Sequence, residues 1–437
     1  SRMARSETPL LKRTLARDTL WVLLGQMGRA GLQAVYFVLV ARSLGVEGFG
    51  AFSGVLAIVA AIAPFATLGM GHLLVRDVVR DPAAFKAAWG KSLRITLTSG
   101  IALLAITIGL ARLILPTHIP TLLVLLLASS DVVFARLVDL AGQAYQGCHR
   151  VNRMVAVQWV LSVARLTGLI VTLLIISNPT PTQWATVYLL ATVLSAVISV
   201  VAASRELGLP ALGTRASALN YRDGALFTVT VSAANVYNDI DKALLPRLST
   251  LEASGLYSAA YKVLFLATLP LMSLLQASYA RFFKHGSDGI RGGLQFARRL
   301  APGALGYGAL ASIGLFVCAP VVPWILGPAY AASVDAVRLL AIVPLFKAAQ
   351  ILSANTLTGS NLQGARTWAQ GGACLLNLGL NLWLIPLYSW RGAGYATLAT
   401  ESALSVALWG LVWYYARRPR IEAQLVPSSV GESGSIA

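Results

Sequence analysis

Long uninterrupted apolar stretches recur along this chain, and no other feature of the sequence limits the fold so severely. A helix that crosses a bilayer needs about 20 apolar residues, because its rise of about 1.5 Å per residue must cover about 30 Å of hydrocarbon. Stretches that meet this length lie at 18–41, 51–75, 95–115, 121–146, 154–177, 184–203, 225–247, 256–282, 300–320, 334–357, 368–388 and 393–415. Their apolar residues run continuously rather than alternating, which argues against a membrane β-barrel. Composition agrees: 57% of the 437 residues are hydrophobic and only 12% are charged, against about 25% charged in a soluble domain. The sequence therefore predicts an all-α polytopic membrane protein with about twelve transmembrane helices. No cleavable signal peptide is expected, since the first apolar stretch is too long and lacks a small-residue cleavage site.

The net charge of +18 comes from 35 Lys+Arg against 17 Asp+Glu. In a soluble protein such a surplus suggests nucleic acid. Here it follows the bias of basic residues toward the cytoplasmic side of membrane proteins. With the N-terminus inside, the inner segments hold 24 Lys and Arg. The outer segments hold only Arg42, Arg112, Arg247 and Arg391. This asymmetry predicts an N-in, C-in topology. Trp184, Trp324 and Trp390 fall at expected outer interfaces, and Trp413, Tyr414 and Tyr415 at an inner one, where such rings prefer the headgroup level. The expected organisation is a basic cytoplasmic segment at 1–17, a six-helix bundle at 18–203, a cytoplasmic connector at 204–224, a second six-helix bundle at 225–415 and a mobile tail at 416–437.

The two bundles look related. A shift of 205 residues lays Arg17-Asp18 on Arg222-Asp223, Arg42 on Arg247, Glu47 on Glu252 and Gly50 on Gly255. It also carries Arg76 to Arg281 and Arg94 to Arg299. Two halves of six spans share one orientation, so their pseudo-twofold axis is expected along the membrane normal.

The ionisable residues at membrane depth carry the functional information. Arg29 lies mid-span in the first stretch, Arg165 in the fifth and Lys347 in the tenth, and Lys262 lies in the outer third of the eighth. Even the mildest scale charges about 2.5–3.5 kcal/mol for a cation at a helix centre. Four such cations facing lipid would cost about 10 kcal/mol or more, comparable with the whole stability of a typical protein. They must face water, a partner on another helix, or an anionic ligand. Interhelical bridges to Asp131, Asp241 or Glu401 compete with a cavity-facing role, and Lys262 can also snorkel to the surface. Local pairing is open to Asp239 and Lys242, and to Arg136 and Asp139, each three residues apart. In all, Arg29, Arg136, Arg165, Lys242, Lys262, Arg338 and Lys347 outnumber Asp131, Asp139, Asp239, Asp241 and Glu401. A net-positive cavity suits an anionic group such as a diphosphate, which arginine grips bidentately and lysine meets as a point charge. A cavity for cationic drugs would carry the opposite sign.

Pro64, Pro270, Pro302 and Pro344 fall within apolar stretches. Each removes a backbone hydrogen bond and tends to bend its helix, so Pro64, Pro270 and Pro344 are hinge candidates; ordinary membrane packing is the competing reading. The scattered cysteines, Cys148, Cys318 and Cys374, and the histidines, His72, His118, His149 and His285, match no disulfide or metal spacing. No nucleotide-binding loop, zinc-protease or nucleophile-elbow motif is present, so no catalytic residue, metal or cofactor is expected.

Two segments carry a family resemblance. Ala41-Arg-Ser-Leu-Gly-Val-Glu-Gly-Phe-Gly-Ala-Phe-Ser53 resembles the first-loop pattern of the polysaccharide transporter family. Asp241-Lys-Ala-Leu-Leu245, with Gly255-Leu-Tyr257 and Ala260-Tyr-Lys262, resembles that family's span 7–8 pattern. The family includes the O-antigen and related lipid-linked oligosaccharide flippases of the multidrug/oligosaccharidyl-lipid/polysaccharide exporter superfamily. The resemblance implies two six-helix lobes around a central cavity, opening alternately to each side of a bacterial or archaeal cytoplasmic membrane. It implies transport of a polyprenyl-diphosphate-linked glycan to the outer leaflet, with counter-transport of protons or sodium. Membrane lipids and glycan-assembly enzymes are the implied partners. On this reading Arg29, Arg165 and Lys347 hold the diphosphate, Arg136, Lys242 and Lys262 add to the field, and Asp131, Asp241 and Glu401 are candidates for ion coupling.

The lipid II flippases of the superfamily usually carry two further spans, which this sequence lacks. A multidrug exporter of the same superfamily is the alternative, and it predicts unpaired acids in the cavity. A major-facilitator carrier would show a glycine-aspartate-arginine signature that 76–94 lacks. A membrane glycan polymerase or ligase would need a large outer loop, which the span assignment does not leave.

Overall fold

The computed structural model describes residues 9–211, 221–287 and 289–417. The expected N-terminal segment 1–17, connector 204–224 and tail 416–437 fall partly outside them. The described chain is helical, with no strand. Its first half contains α1 (Pro9–Thr67), α2 (Met70–Arg80), α3 (Phe85–Ile114), α4 (Thr121–Ala128), α5 (Ala135–Gly147), α6 (Val151–Ile175) and α7 (Pro181–Leu207). The second contains α8 (Tyr221–Leu248), α9 (Leu251–Ala277), α10 (Tyr279–Gly286), α11 (Ile290–Cys318), α12 (Val321–Leu326), α13 (Ser333–Leu340), α14 (Val343–Gly359), α15 (Gln363–Tyr388) and α16 (Trp390–Arg417). Among the described residues, 10 helical segments are long and apolar enough to cross a membrane, so this is a multi-pass membrane protein.

Helix interruptions depart from the sequence expectation in informative places. The expected loop at 42–50 is not a loop. Two helices meet there at a sharp break on Gly45, whose φ of 66° and ψ of −178° are not helical and would be disfavoured for a residue with a side chain. The kink frees backbone carbonyls, and the buried Tyr330 hydroxyl donates to two of them, Ala41 O at 2.9 Å and Gly45 O at 3.2 Å. The second stretch breaks just after Pro64, at Leu68 and Gly69, both with positive φ. The fourth stretch carries a π-helical turn, Ser129–Phe134, between α4 and α5. The tenth is broken at Ala341–Ile342, and Pro344 sits in the first turn of α14, where its missing N–H costs nothing. Pro344 thus lies at the break of the tenth stretch, and Pro270 lies inside α9. Trp184 does not face lipid. It is buried, with its ring edge-on to Phe52 at 4.6 Å, while Trp324 is 80% exposed.

The internal repeat is visible in the packing. α3 starts at Phe85 and α11 at Ile290, 205 residues apart. The kink at Gly45 in the first half corresponds to the break between α8 and α9 in the second. At the seam between the halves, a β-carbon on Gly50 would collide with the Leu251 carbonyl oxygen, and one on Gly255 would collide with that of Val46. These are two repeat-related pairs in one reciprocal contact, the pattern a twofold axis produces.

Arg42 and Arg247 act reciprocally as well. Arg42 donates across the seam to Ile325 O at 2.6 Å and Trp324 O at 3.0 Å, in the last turn of α12. Arg247 donates to Leu113 O at 2.9 Å and Leu115 O at 3.4 Å, at the end of α3. Each arginine thus satisfies the orphan carbonyls of a helix C-terminus in the opposite half. One apolar cluster closes around this seam, running from Phe49, Phe52 and Trp184 to Leu245, Leu256 and Val337. The halves are also joined at mid-span, where Asn235 Nδ2 donates to Ala60 O at 2.8 Å.

Candidate functional site

In the first half, the π-helical turn places Asp131 against α6 and α7. A π turn shifts the register of the backbone bonds and is often retained at functional sites. Here Arg136 Nε, on the following helix, donates to the displaced Asp131 carbonyl at 3.2 Å. Arg165 Nη2 meets Asp131 Oδ1 at 2.5 Å, with side-chain exposures of 16% and 19%. Arg165 also donates to Thr192 Oγ1 at 3.0 Å and Ser130 Oγ at 3.3 Å, and its guanidinium lies 3.9 Å from the centre of the Tyr188 ring. The Tyr188 hydroxyl donates to Asp131 Oδ2 at 2.9 Å. The guanidinium is therefore satisfied within its own half. Arg136 itself pairs with Asp139 at 2.9 Å, as the three-residue spacing allows.

The second half repeats this chemistry. Lys242 Nζ lies 2.8 Å from Asp239, 3.4 Å from Asp241 and 3.7 Å from the centre of the Tyr261 ring. The Tyr257 hydroxyl donates to Asp241 Oδ2 at 2.6 Å and sits 2.9 Å from Thr397 Oγ1. Lys347 Nζ meets the buried Glu401 at 2.7 Å, between α14 and α16. The Tyr237 hydroxyl donates to Glu401 Oε1 at 3.1 Å, and Gln350 Nε2 to Oε2 at 2.7 Å. Beside these, Asn381 Nδ2 donates to Asn377 Oδ1 at 3.0 Å, while the buried Asn381 Oδ1 has no partner among the described residues.

A common rule emerges. Asp131, Asp241 and Glu401 are each paired with one cation, Lys242 being shared between Asp241 and Asp239, and each accepts from one tyrosine hydroxyl. An isolated charge at this depth would be costly, and pairing plus hydrogen bonding offsets that cost. The structure thus joins residues that the sequence divides into two roles. Arg165, Lys242 and Lys347 partner Asp131, Asp241 and Glu401.

Arg29 and Lys262 differ. Arg29 Nη1 donates to the neutral Gln158 Oε1 at 2.6 Å. Lys262, on α9, is exposed, lies within electrostatic reach of Lys242 and Asp239, and forms no ion pair among the described residues. Arg338 is exposed, with its guanidinium 5.4 Å from the Phe316 ring. The tyrosines and Gln350 escape sequence reasoning because an aromatic inside a span looks like packing. Their signal is that a buried phenol needs an acceptor, and each lies one helix away from a lone carboxylate.

A family model described as polysaccharide biosynthesis protein matches residues 15–285. A multidrug resistance MATE family transporter of the MOP superfamily, in an inward-facing conformation, has the same fold. Its TM-score is 0.73 at 14% identity, covering 89% of this chain and 95% of that one. The lipid II flippase MurJ, in an inward closed conformation, gives 0.70 at 10% identity, covering 90% of this chain and 87% of that one. A MOP superfamily transporter from Pyrococcus furiosus, with a binding pocket of reverse polarity, gives 0.61 at 13% identity, with coverage of 92% and 96%. Among curated proteins, none matches the chain.

Proposed function

We propose that this chain, which belongs to the family of polysaccharide biosynthesis proteins, is a flippase that carries a polyprenyl-diphosphate-linked oligosaccharide to the outer leaflet. The observation that supports this reading is the charge left after pairing. Among the described residues, Asp131, Asp139 and Glu401 each have a cation and Asp239 and Asp241 share Lys242, while Arg29 in one half and Lys262 in the other have no carboxylate, so the balance is positive by one charge. A protein built for cationic drugs would leave the opposite remainder. Arg29 and Lys262 are the groups free to meet a diphosphate, with the paired Arg165, Lys242 and Lys347 shaping the field around them. Dividing α1 at Gly45 and counting α8 yields a twelve-span, N-in arrangement, with the Arg42 end outward. The seam at that end is then the outer gate of an alternating-access cycle. Asp131, Asp241 and Glu401 are the candidates for proton or sodium coupling, and the open acceptor on Asn381 lies in the same half as the last two.

Reconstituted protein moving a fluorescent polyprenyl-diphosphate glycan across vesicles tests the proposal. Arg29→Glu and Lys262→Glu are each expected to cut the rate about 10–100-fold, the value of a charge-assisted hydrogen bond of about 1.5–3 kcal/mol. Arg29→Lys should recover part of the rate, because the charge returns without the bidentate grip. Unchanged transport in both reversed variants would remove the assignment. Efflux of cationic dyes that depends on Asp131, Asp241 and Glu401 would move it to multidrug export.

A further inference from the structure

An apolar groove of about 1240 Å³ runs between α6 and α7 on the face of α6 turned away from Arg165. Its lining includes the small residues Ala156, Ala164, Gly168 and Ala191. Asn152 lies near one end and Gln183 near the other, and no charged residue lines it between them. From Asn152 to Ile176 the α6 axis rises about 36 Å, slightly more than the hydrocarbon thickness of about 30 Å. The groove therefore crosses both leaflets. An ordinary acyl chain fills one leaflet only, so a groove of this length suits a single longer hydrocarbon.

The wall of the groove adjoins a lone cation. Trp159 lines it and packs on Gly28, where a β-carbon would collide with the indole. The next residue on α1 is Arg29, bonded to Gln158, the neighbour of Trp159. A diphosphate at Arg29 and a tail in the groove are thus one helix face apart.

We propose that this groove holds the polyisoprenoid tail of the substrate along its full length while the headgroup crosses. This inference rests on the flippase reading. Bulk lipid is as apolar as the groove, so selection comes from shape and from close packing on its small lining residues rather than from hydrophobicity.

The test uses full-length protein in phosphatidylcholine nanodiscs with two probes that share a headgroup, undecaprenyl diphosphate and farnesyl diphosphate. Ala156→Trp and Ala164→Trp fill the groove at two depths, and Ile313→Trp, on an exposed face of α11, is the control. Each groove variant is expected to weaken undecaprenyl diphosphate binding about tenfold and leave farnesyl diphosphate unchanged, with the control matching wild type. If wild type binds both probes and the groove variants bind both equally well, the groove is not the tail site. Equal loss of both probes would place the effect at the headgroup and likewise overturn the inference. Wild type that binds neither probe would overturn the flippase reading itself.

Discussion

Leucine at Gly50 or at Gly255 is expected to force open the seam at the Arg42 end and stop transport, while the protein still inserts. Both glycines face a backbone carbonyl of the other half, Leu251 O and Val46 O, and a carbonyl held in a helix cannot rotate aside as a side chain can. Overpacking of this kind costs about 1–3 kcal/mol, and two-state conformational equilibria are balanced within a few kcal/mol. The halves relieve the clash by separating, which biases the molecule away from the closed-seam state. Because the contact is reciprocal, the two variants should behave alike. Glu47 and Glu252 are exposed and repeat-related, so spin labels at Glu47→Cys and Glu252→Cys report the opening once Cys148, Cys318 and Cys374 are replaced by serine. A longer distance in both leucine variants is the expected result. An unchanged distance with normal transport would show that the seam does not gate the protein.

Asp131→Asn is expected to destabilise the protein by about 3–5 kcal/mol, the cost of leaving a buried cation without its partner. Arg165 would keep Ser130, Thr192 and the Tyr188 ring but lose the only carboxylate near it among the described residues. Adding Arg165→Gln should recover most of the loss, since two neutral groups need no charge compensation. Thermal unfolding in detergent measures the double-mutant cycle, and the coupling should exceed about 1 kcal/mol. If Asp131→Asn leaves the unfolding temperature unchanged, Arg165 reaches water or ligand and belongs with Arg29. Glu401→Gln should follow the same course through Lys347, since Glu401 is the more buried of the two carboxylates.

Much of this was legible in the sequence because it depends on local composition. Apolar length alone determined the fold class, since a bilayer satisfies no backbone group and a span must be helical. Spacing of three along one helix foretold the Arg136–Asp139 and Lys242–Asp239 pairs. The shift of 205 picked out Arg42 with Arg247 and Gly50 with Gly255, because close backbone approach and orphan carbonyls recur wherever a repeat packs against its copy.

Other features became visible only in three dimensions. The Arg165–Asp131 pair spans 34 residues, and nothing local told Arg165 from Arg29. The π turn decides which way Asp131 points, and a one-residue change of register rotates a side chain by about 100° around a 3.6-residue helix. Apolar length and charge bias thus determined that this chain crosses a membrane many times and carries cations at depth. Tertiary structure decided which cations are neutralised, because pairing depends on distances of a few ångströms between faces of different helices, and sequence order does not encode those distances.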